Sequence, residues 1–105
     1  MLKNQNYLDK RTGLTLPVVA KVQVDTLKGN ATFSIGVSRD AIKNGNIIEK
    51  IKMDIDFEEN RNQNPFEYAY KVAKGQRTEK RWNDEKGELE EVVVNQPFHG
   101  WEDEL

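Results

Sequence analysis

The chain has 105 residues, of which 36% are hydrophobic and 32% are charged, and its formal net charge is −2 at pH 7. This length suits one domain with a small core, and the absence of cysteine excludes a disulfide framework and a thiolate metal site. The sequence has neither the apolar run of a signal peptide nor an apolar stretch long enough to span a bilayer, so we expect no membrane segment.

Charge is distributed unevenly along the chain. Residues 1–56 include nine basic and six acidic residues, a net charge of +3, whereas residues 57–105 include seven and twelve, a net charge of −5. Opposite charges at two ends orient copies of a chain against each other, but salt screens exposed charges beyond about 8 Å. We therefore expect this asymmetry to affect orientation rather than affinity.

Residues 1–17 are predicted to form an extended N-terminal arm. Beyond this arm, apolar and polar residues alternate with a period of two, and a second alternation begins after the turn residues Gly29 and Asn30. A two-residue loop at these positions pairs Val22 with Val37 and places the apolar side chains of both strands on one face. The sequence therefore predicts a β-hairpin with one buried face.

A third strand is predicted over residues 47–57, after a polar connector with a short helical turn over residues 40–43. A helix follows, with Asn64 as its N-cap, Pro65 at its first position and Gly75 at its end. The helix has an apolar stripe that is expected to pack on the hydrophobic face of the sheet. This stripe consists of Phe66, Ala69, Tyr70 and Ala73.

Beyond Gly75, residues 76–105 are predicted to form a charged hairpin, with a turn at residues 85–88, and then an aromatic C-terminal arm. The core is expected to lie within residues 18–75, and the whole chain is expected to be a single domain. The predicted fold class is mainly β with one helix (α+β). It has a small antiparallel sheet of three to four strands, packed by one short helix, and extended termini.

No arrangement of residues is typical of catalysis. His99 is the single histidine and no serine lies in a nucleophile motif, so the sequence predicts no enzyme, no cofactor and no metal centre. Asp54 and Asp56 share one face of the third strand and are the best candidates for binding a cation such as calcium. Because Lys50 and Lys52 lie on that same face, a solvated face with cross-strand ion pairs is favoured, and the question of a cation stays open.

Basic residues cluster around Trp82, and basic residues interleaved with an aromatic are able to hold a nucleic-acid strand. The cluster consists of Lys71, Lys74, Arg77, Lys80 and Arg81. Acidic residues, among them Glu79 and Asp84, surround the cluster. This surrounding charge favours ion pairs on a polar surface over nucleic-acid binding.

Three segments give the chain its layout: the opening Gly13-Leu14-Thr15-Leu16-Pro17, the helix over residues 64–74, which includes Pro65-Phe66 and Ala69-Tyr70, and the close Phe98-His99-Gly100-Trp101 before acidic residues. In this layout the chain resembles a loose group of short phage and prophage proteins that are usually encoded among virion structural genes. It departs from the group by a long charged stretch, residues 76–96, between the helix and the close. The resemblance implies a head, collar or tail accessory, repeated as a ring or as a trimeric adaptor.

We therefore expect a non-enzymatic phage virion structural or adaptor subunit that acts by protein–protein assembly, in the virion or in the host cytoplasm during assembly. Its expected partners are other virion proteins and copies of itself. Isolated aromatics in polar segments are typical interface anchors. The residues expected to contact partners are Tyr7, Leu8, Trp82, Phe98 and Trp101. The alternative is a small phage or mobile-element regulator that binds a host protein or nucleic acid.

Overall fold

The computed structural model describes residues 1–103. The elements are β1 (Leu2–Asp9), β2 (Leu14–Asp25), β3 (Asn30–Gly36), α1 (Arg39–Lys43), β4 (Glu49–Asp54), α2 (Pro65–Lys74), β5 (Gln76–Asn83), β6 (Glu88–Asn95) and β7 (Glu102–Asp103). Five strands form an antiparallel sheet in the order β4-β3-β2-β1-β7, and β5 pairs with β6 in a separate two-stranded ribbon. The predicted class, mainly β with a packed helix (α+β), is confirmed, although the main sheet has five strands rather than three or four.

The β2–β3 hairpin turns earlier than the sequence predicts. Val22 lies opposite Phe33 rather than Val37, and the loop has four residues, 26–29. The side-chain oxygen of Asp25 accepts hydrogen bonds from two backbone N–H groups of the turn, and Gly29 closes it at φ +68°. The predicted register is therefore wrong, but the loop length is still even, so the apolar residues of both strands share one face as predicted.

The N-terminal segment is a strand of the sheet, so the prediction of an extended arm over residues 1–17 is wrong. Leu2 is fully buried and lies opposite Ala20 in the β1–β2 ladder. The register shifts between Asn4 and Tyr7, at a β-bulge opposite Pro17. Because proline has no N–H for the ladder, it favours such an interruption, and the bulge turns Tyr7 toward the core side.

Helix α2 covers the apolar face of the sheet and has the predicted boundaries. The side-chain oxygen of Asn64 accepts hydrogen bonds from two N–H groups of the first turn, at 2.9 and 3.3 Å, and Pro65 occupies the first helical position. Ala69 and Ala73 are fully buried, since their small side chains let the helix lie close to the strands. The hydroxyl oxygen of Tyr70 accepts the backbone N–H of Val22 at 3.0 Å.

The C-terminal segment also joins the core, so the prediction of an aromatic C-terminal arm is wrong. Phe98 is fully buried, its ring centroid lies 4.8 Å from that of Phe33, and its N–H donates to the carbonyl of Ala73. Strand β7 then pairs with β1 at the edge of the sheet. The last two residues of the predicted arm, 104 and 105, lie outside the described residues.

The remaining predicted elements are present with small changes. Helix α1 forms where a helical turn was predicted, and its Ile42 packs on Gly36, where a Cβ would lie only 2.7 Å from Ile42 Cγ1. Strand β4 is shorter than the predicted 47–57, although Ile55 and Phe57 beyond its end are buried. Within residues 1–103, no helix has the length and apolar character needed to cross a membrane.

Candidate assembly surface

The β5–β6 ribbon, called the arm below, projects from the rest of the molecule. It leaves the body just after α2 and returns beside its starting point, where the N–H of Gln96 donates to the carbonyl of Gly75 at 3.1 Å. The radius of gyration is 15.9 Å, whereas a compact chain of this length has a value of about 13 Å. The molecule measures 50 × 38 × 22 Å, as expected for a body with a protruding ribbon.

The arm forms because its turn repeats a local motif. The side-chain oxygen of Asn83 accepts hydrogen bonds from two N–H groups of the turn at 3.0 and 3.2 Å, and Gly87 adopts φ +64°. The β1–β2 and β2–β3 turns likewise begin at an aspartate, Asp9 or Asp25, and end four residues later at a glycine. An Asx residue followed by three residues and glycine thus marks all three tight hairpins.

One face of the arm presents large apolar side chains to solvent. Trp82 lies opposite Leu89, and Thr78 lies opposite Val93 on the same side of the ribbon. Trp82, Leu89 and Val93 are 61%, 62% and 65% exposed, respectively. Lys80 and Glu91 lie on the same side, between these residues. We call Trp82, Leu89 and Val93 the apolar face of the arm. Exposed apolar groups that lie together on a soluble protein mark interaction surfaces.

The opposite face of the arm carries charged residues of β5 beside Val92 and Val94 of β6, and local ion pairs hold the charged residues. The carboxylate of Glu79 lies 2.7 Å from the guanidinium of Arg77 and also pairs with that of Arg81. The hydrogen bond from Arg81, together with the positive charge of both arginines, lowers the pKa of the Glu79 carboxyl below its ordinary value. Two cations of the predicted basic cluster are therefore neutralised within their own strand.

The five residues predicted to contact partners have different surroundings. Phe98 is buried in the core, so the prediction that it binds a partner is wrong. Although it lies near the C-terminus, its side chain fills the gap between the sheet and the helix. Trp101 packs edge-to-face on Phe98 and on Tyr7, with ring centroids 4.7 and 6.0 Å apart, respectively. Trp101 and Tyr7 are partly buried against the core. Leu8 and Trp82 are the two that expose more than half of their surface.

Tyr7 has a perturbed ionisation that reflects its position. Its hydroxyl donates a hydrogen bond to the carboxylate of Glu49, which lies across the sheet on β4. Burial and this carboxylate raise the pKa of Tyr7 to about 12. Tyr7 therefore links the N-terminal strand to the far edge of the sheet, which is a structural role.

The unpredicted members of the apolar face are Leu89 and Val93. The sequence places them on a short strand, but only the ladder register shows that they share a face with Trp82. Residues 88–93 offer no clear alternation, because Glu91 lies on the same side of β6 as Leu89 and Val93.

A second surface carries positive charge on the face of the main sheet that is opposite α2. Lys21, Ser34 and Lys50 lie in one row across β2, β3 and β4, and Lys43 of α1 flanks this row. These residues line a shallow depression in which none of the described lining residues is acidic. By contrast, Lys74 of the predicted cluster pairs with Asp103 at 2.8 Å.

Two of the residues considered for metal binding, Asp56 and His99, have local hydrogen-bond partners. One oxygen of Asp56 accepts the N–H groups of Glu58 and Glu59 at 3.0 and 3.3 Å, which makes it a turn residue after β4. His99 is exposed, and its Nδ1 lies 3.1 Å from the carbonyl oxygen of Lys74. In the part of the chain that the structure describes, no three acidic or histidine side chains group together as metal ligands do.

No protein-family model matches the chain, and neither a curated protein nor a solved structure is significantly similar to it.

Proposed function

We propose that the chain is a non-enzymatic assembly subunit and that the arm is its principal contact with other proteins. The supporting observation is the apolar face of the arm, where three large side chains expose more than 60% of their surface each. An isolated two-stranded ribbon is only marginally stable in water, so covering one face by a partner stabilises it. The resemblance to phage and prophage structural proteins makes a virion, with other virion proteins and copies of this chain as partners, the setting that we propose.

The arm is suited to docking by its composition as well as its exposure. Tryptophan is enriched among the residues that anchor protein interfaces, because it buries much area at a low cost in side-chain entropy. Trp82 has such surroundings, with Lys80 and Arg81 before it in β5 and Glu90 near its partner Leu89 on β6. An apolar anchor with a charged rim is the arrangement of a specific protein interface.

Sedimentation velocity of the full-length chain tests this function. Replacing Trp82 and Leu89 by serine is expected to weaken association at least about tenfold, as the loss of a buried aromatic anchor does at other interfaces. The matched control is Leu27→Ser, since Leu27 is 98% exposed but lies in a turn of the body. If the arm variant and the wild type sediment alike in the presence and absence of partners, the arm has no assembly role.

Mass spectrometry of purified particles tests the setting. We expect a constant ratio of this chain to the major shell protein, and loss of the chain from particles when the Trp82 and Leu89 variant replaces it. Absence of the wild-type chain from particles, with abundant protein in the cells, contradicts a virion role.

The row of lysines on the main sheet favours a second candidate of another class, a regulator that binds an anionic partner such as nucleic acid. Lys21 and Lys50 of this row line the shallow depression, and none of its described lining residues carries a carboxylate. Phosphate binding through such residues weakens steeply with added salt, whereas apolar docking of the arm does not. Changing Lys21 and Lys50 to glutamate should abolish binding to an oligonucleotide under this alternative, with Lys28→Glu in a turn as the control.

A further inference from the structure

Both long edges of the arm are open. Within residues 1–103, β5 pairs only with β6, so the outer edge of each strand directs its N–H and C=O groups to solvent. Such edges are templates for pairing with another strand. A strand added to either edge would extend the ribbon to the three or more strands that a stable sheet requires.

The two edges carry opposite charge. Strand β5 has three basic residues and one acidic residue, a net charge of +2; they are Arg77, Lys80, Arg81 and Glu79. Strand β6 has three acidic residues and no basic residue, a net charge of −3; they are Glu88, Glu90 and Glu91. Pairing of β5 with a second β5, or of β6 with a second β6, therefore opposes like charges, which is unfavourable in a sheet.

These charges are not used within the arm. Lys80 lies opposite Glu91 and Arg81 opposite Glu90 in the ladder, but among the described residues no ion pair within 4.0 Å joins β5 to β6. Instead, Glu79 binds the arginines of its own strand, and Lys86 of the turn lies 3.4 Å from Glu90. Among the described residues, Lys80 of β5 and Glu88 and Glu91 of β6 have no ion-pair partner, and these charges are available to a neighbour.

The existing register also suits an additional ladder. In an antiparallel ladder, every second residue directs its backbone N–H and C=O groups away from the partner strand, toward the outer edge. A second arm in the same orientation is able to bond to these groups, and its β6 residues then lie opposite the same β5 residues as within one arm. Trp82 of one copy then lies opposite Leu89 of the next, Thr78 opposite Val93, and Lys80 opposite Glu91. In this arrangement Trp82 meets Leu89, and the cations Lys80 and Arg81 meet the anions Glu91 and Glu90.

We infer that the partner of the arm is the arm of a second copy, with β5 of one chain paired antiparallel to β6 of the next. This inference rests on the proposed assembly function and deepens it by naming the partner and its edge. The contact is head-to-tail, so each chain uses one edge for each of two neighbours, and the copies form a ring where the rotation between them closes and a filament where it does not. Trp82 and Leu89 of successive arms align into one apolar row, next to a charged row of Lys80 and Glu91.

Charge reversal tests the inference, with three full-length variants. Lys80→Glu with Arg81→Glu makes β5 acidic, so both edges are acidic. Glu90→Lys with Glu91→Lys makes β6 basic, so both edges are basic. The third variant carries all four changes and exchanges the charges of the two edges, which keeps opposite charges across its own ribbon. Circular dichroism establishes that each variant is folded before association is measured.

Each of the first two variants alone is expected to associate at least about tenfold more weakly than the wild type, because like charges face each other at every contact. Their equimolar mixture is expected to recover association, with the two chains alternating. Mixing leaves the pairs within each ribbon unchanged, so recovery reports contacts between chains. The four-change variant should assemble with itself but not with the wild type.

The outcomes separate this inference from the proposed function. Failure of the mixture to recover, or free mixing of the four-change variant with the wild type, overturns edge pairing even when the Trp82 and Leu89 changes still abolish assembly. If those apolar changes have no effect, the proposed function fails as well.

Because the chain has no cysteine, Thr78→Cys and Val93→Cys in separate chains give an independent readout. We expect a disulfide between the two chains when the variants are mixed, and no disulfide in a sample of either variant alone.

Discussion

The body and the arm both carry large apolar side chains on one face of their strands, but they differ in what covers that face. Strand β2 buries Val18, Ala20 and Val22 beneath the helix. In the arm, Trp82 and Leu89 alternate with charged neighbours in the same way, yet both are mostly exposed. Alternation therefore specifies a strand with two unlike faces, whereas burial depends on whether another element covers the apolar face.

The covering layer of the body comes from distant parts of the chain. Phe98 inserts beside the small residues Ala69 and Ala73 of α2, and its ring packs on Phe33 of β3. The arm is inserted between these two parts of the layer, after α2 and before Phe98. The chain thus closes its core around the base of the arm and leaves the ribbon outside, where a neighbour is able to reach it.

The largest expected effect on stability is at the closing residue of the core. Phe98→Ala removes a fully buried ring and leaves a cavity, so we expect the free energy of unfolding to fall by about 3–5 kcal/mol. Urea denaturation followed by circular dichroism measures the loss. Phe66→Ala is the control, because Phe66 lies on α2 and is 52% exposed, so its loss should cost much less stability. Equal losses would contradict the assigned core.

The two tryptophans separate the body from the arm directly. Trp101 packs on Phe98 and Tyr7, so Trp101→Ala is expected to cost about 2–3 kcal/mol. Trp82→Ala should change the stability of the dilute, dissociated chain by less than about 0.5 kcal/mol, while it weakens association. A large loss of stability for Trp82→Ala in the monomer would show that the arm is part of the body.

A hydrogen bond between helix and sheet is expected to have an intermediate effect. Tyr70→Phe removes the acceptor of the buried Val22 N–H, which then has no partner, and should cost about 1–3 kcal/mol. Tyr68→Phe is the matched control on the same helix, since its hydroxyl accepts from the side chain of Asn60 instead of a buried backbone group. Urea unfolding that ranks the two changes in the opposite order would contradict this role.

The smallest effect is expected from the titration of Tyr7. Its pKa is raised to about 12 in the folded chain, so the neutral phenol is favoured by folding. This contribution is complete below the unfolded pKa, which is about 10, and is lost as pH rises toward 12. The difference in unfolding free energy between the wild type and Tyr7→Phe should therefore shrink over that range. A constant difference would contradict the hydrogen bond to Glu49.

Much of the fold follows from local signals. The cap at Asn64, the end at Gly75 and the charged hairpin beyond it are all present as predicted. The length of the first predicted loop was wrong because the turn was assigned to Gly29 and Asn30 alone, whereas Asp25 begins it. The recurrence of an Asx residue four positions before glycine at all three tight hairpins is a signal that gives the correct length.

The candidate site was predictable only in part. Trp82 was singled out from its charged surroundings, but the four other residues expected at interfaces were drawn from the termini on the assumption that terminal segments stay outside the core. That assumption fails for Leu2 and Phe98, because both side chains are buried between the sheet and the helix. No local sequence pattern indicates this burial. Leu89 and Val93 join the site through strand pairing, which also requires the fold.

The amino-acid sequence by itself determined both helices and most of the strands, since these depend on alternation, capping residues and turn residues within a few positions, but it did not determine β1 and β7. It also determined the opposite charges of β5 and β6. Only the tertiary structure decided which apolar face is covered, because coverage depends on contacts between residues far apart in the chain, such as Phe33 with Phe98 and Val22 with Tyr70. The same packing leaves the arm outside the core, with its apolar face and both edges open to a second copy.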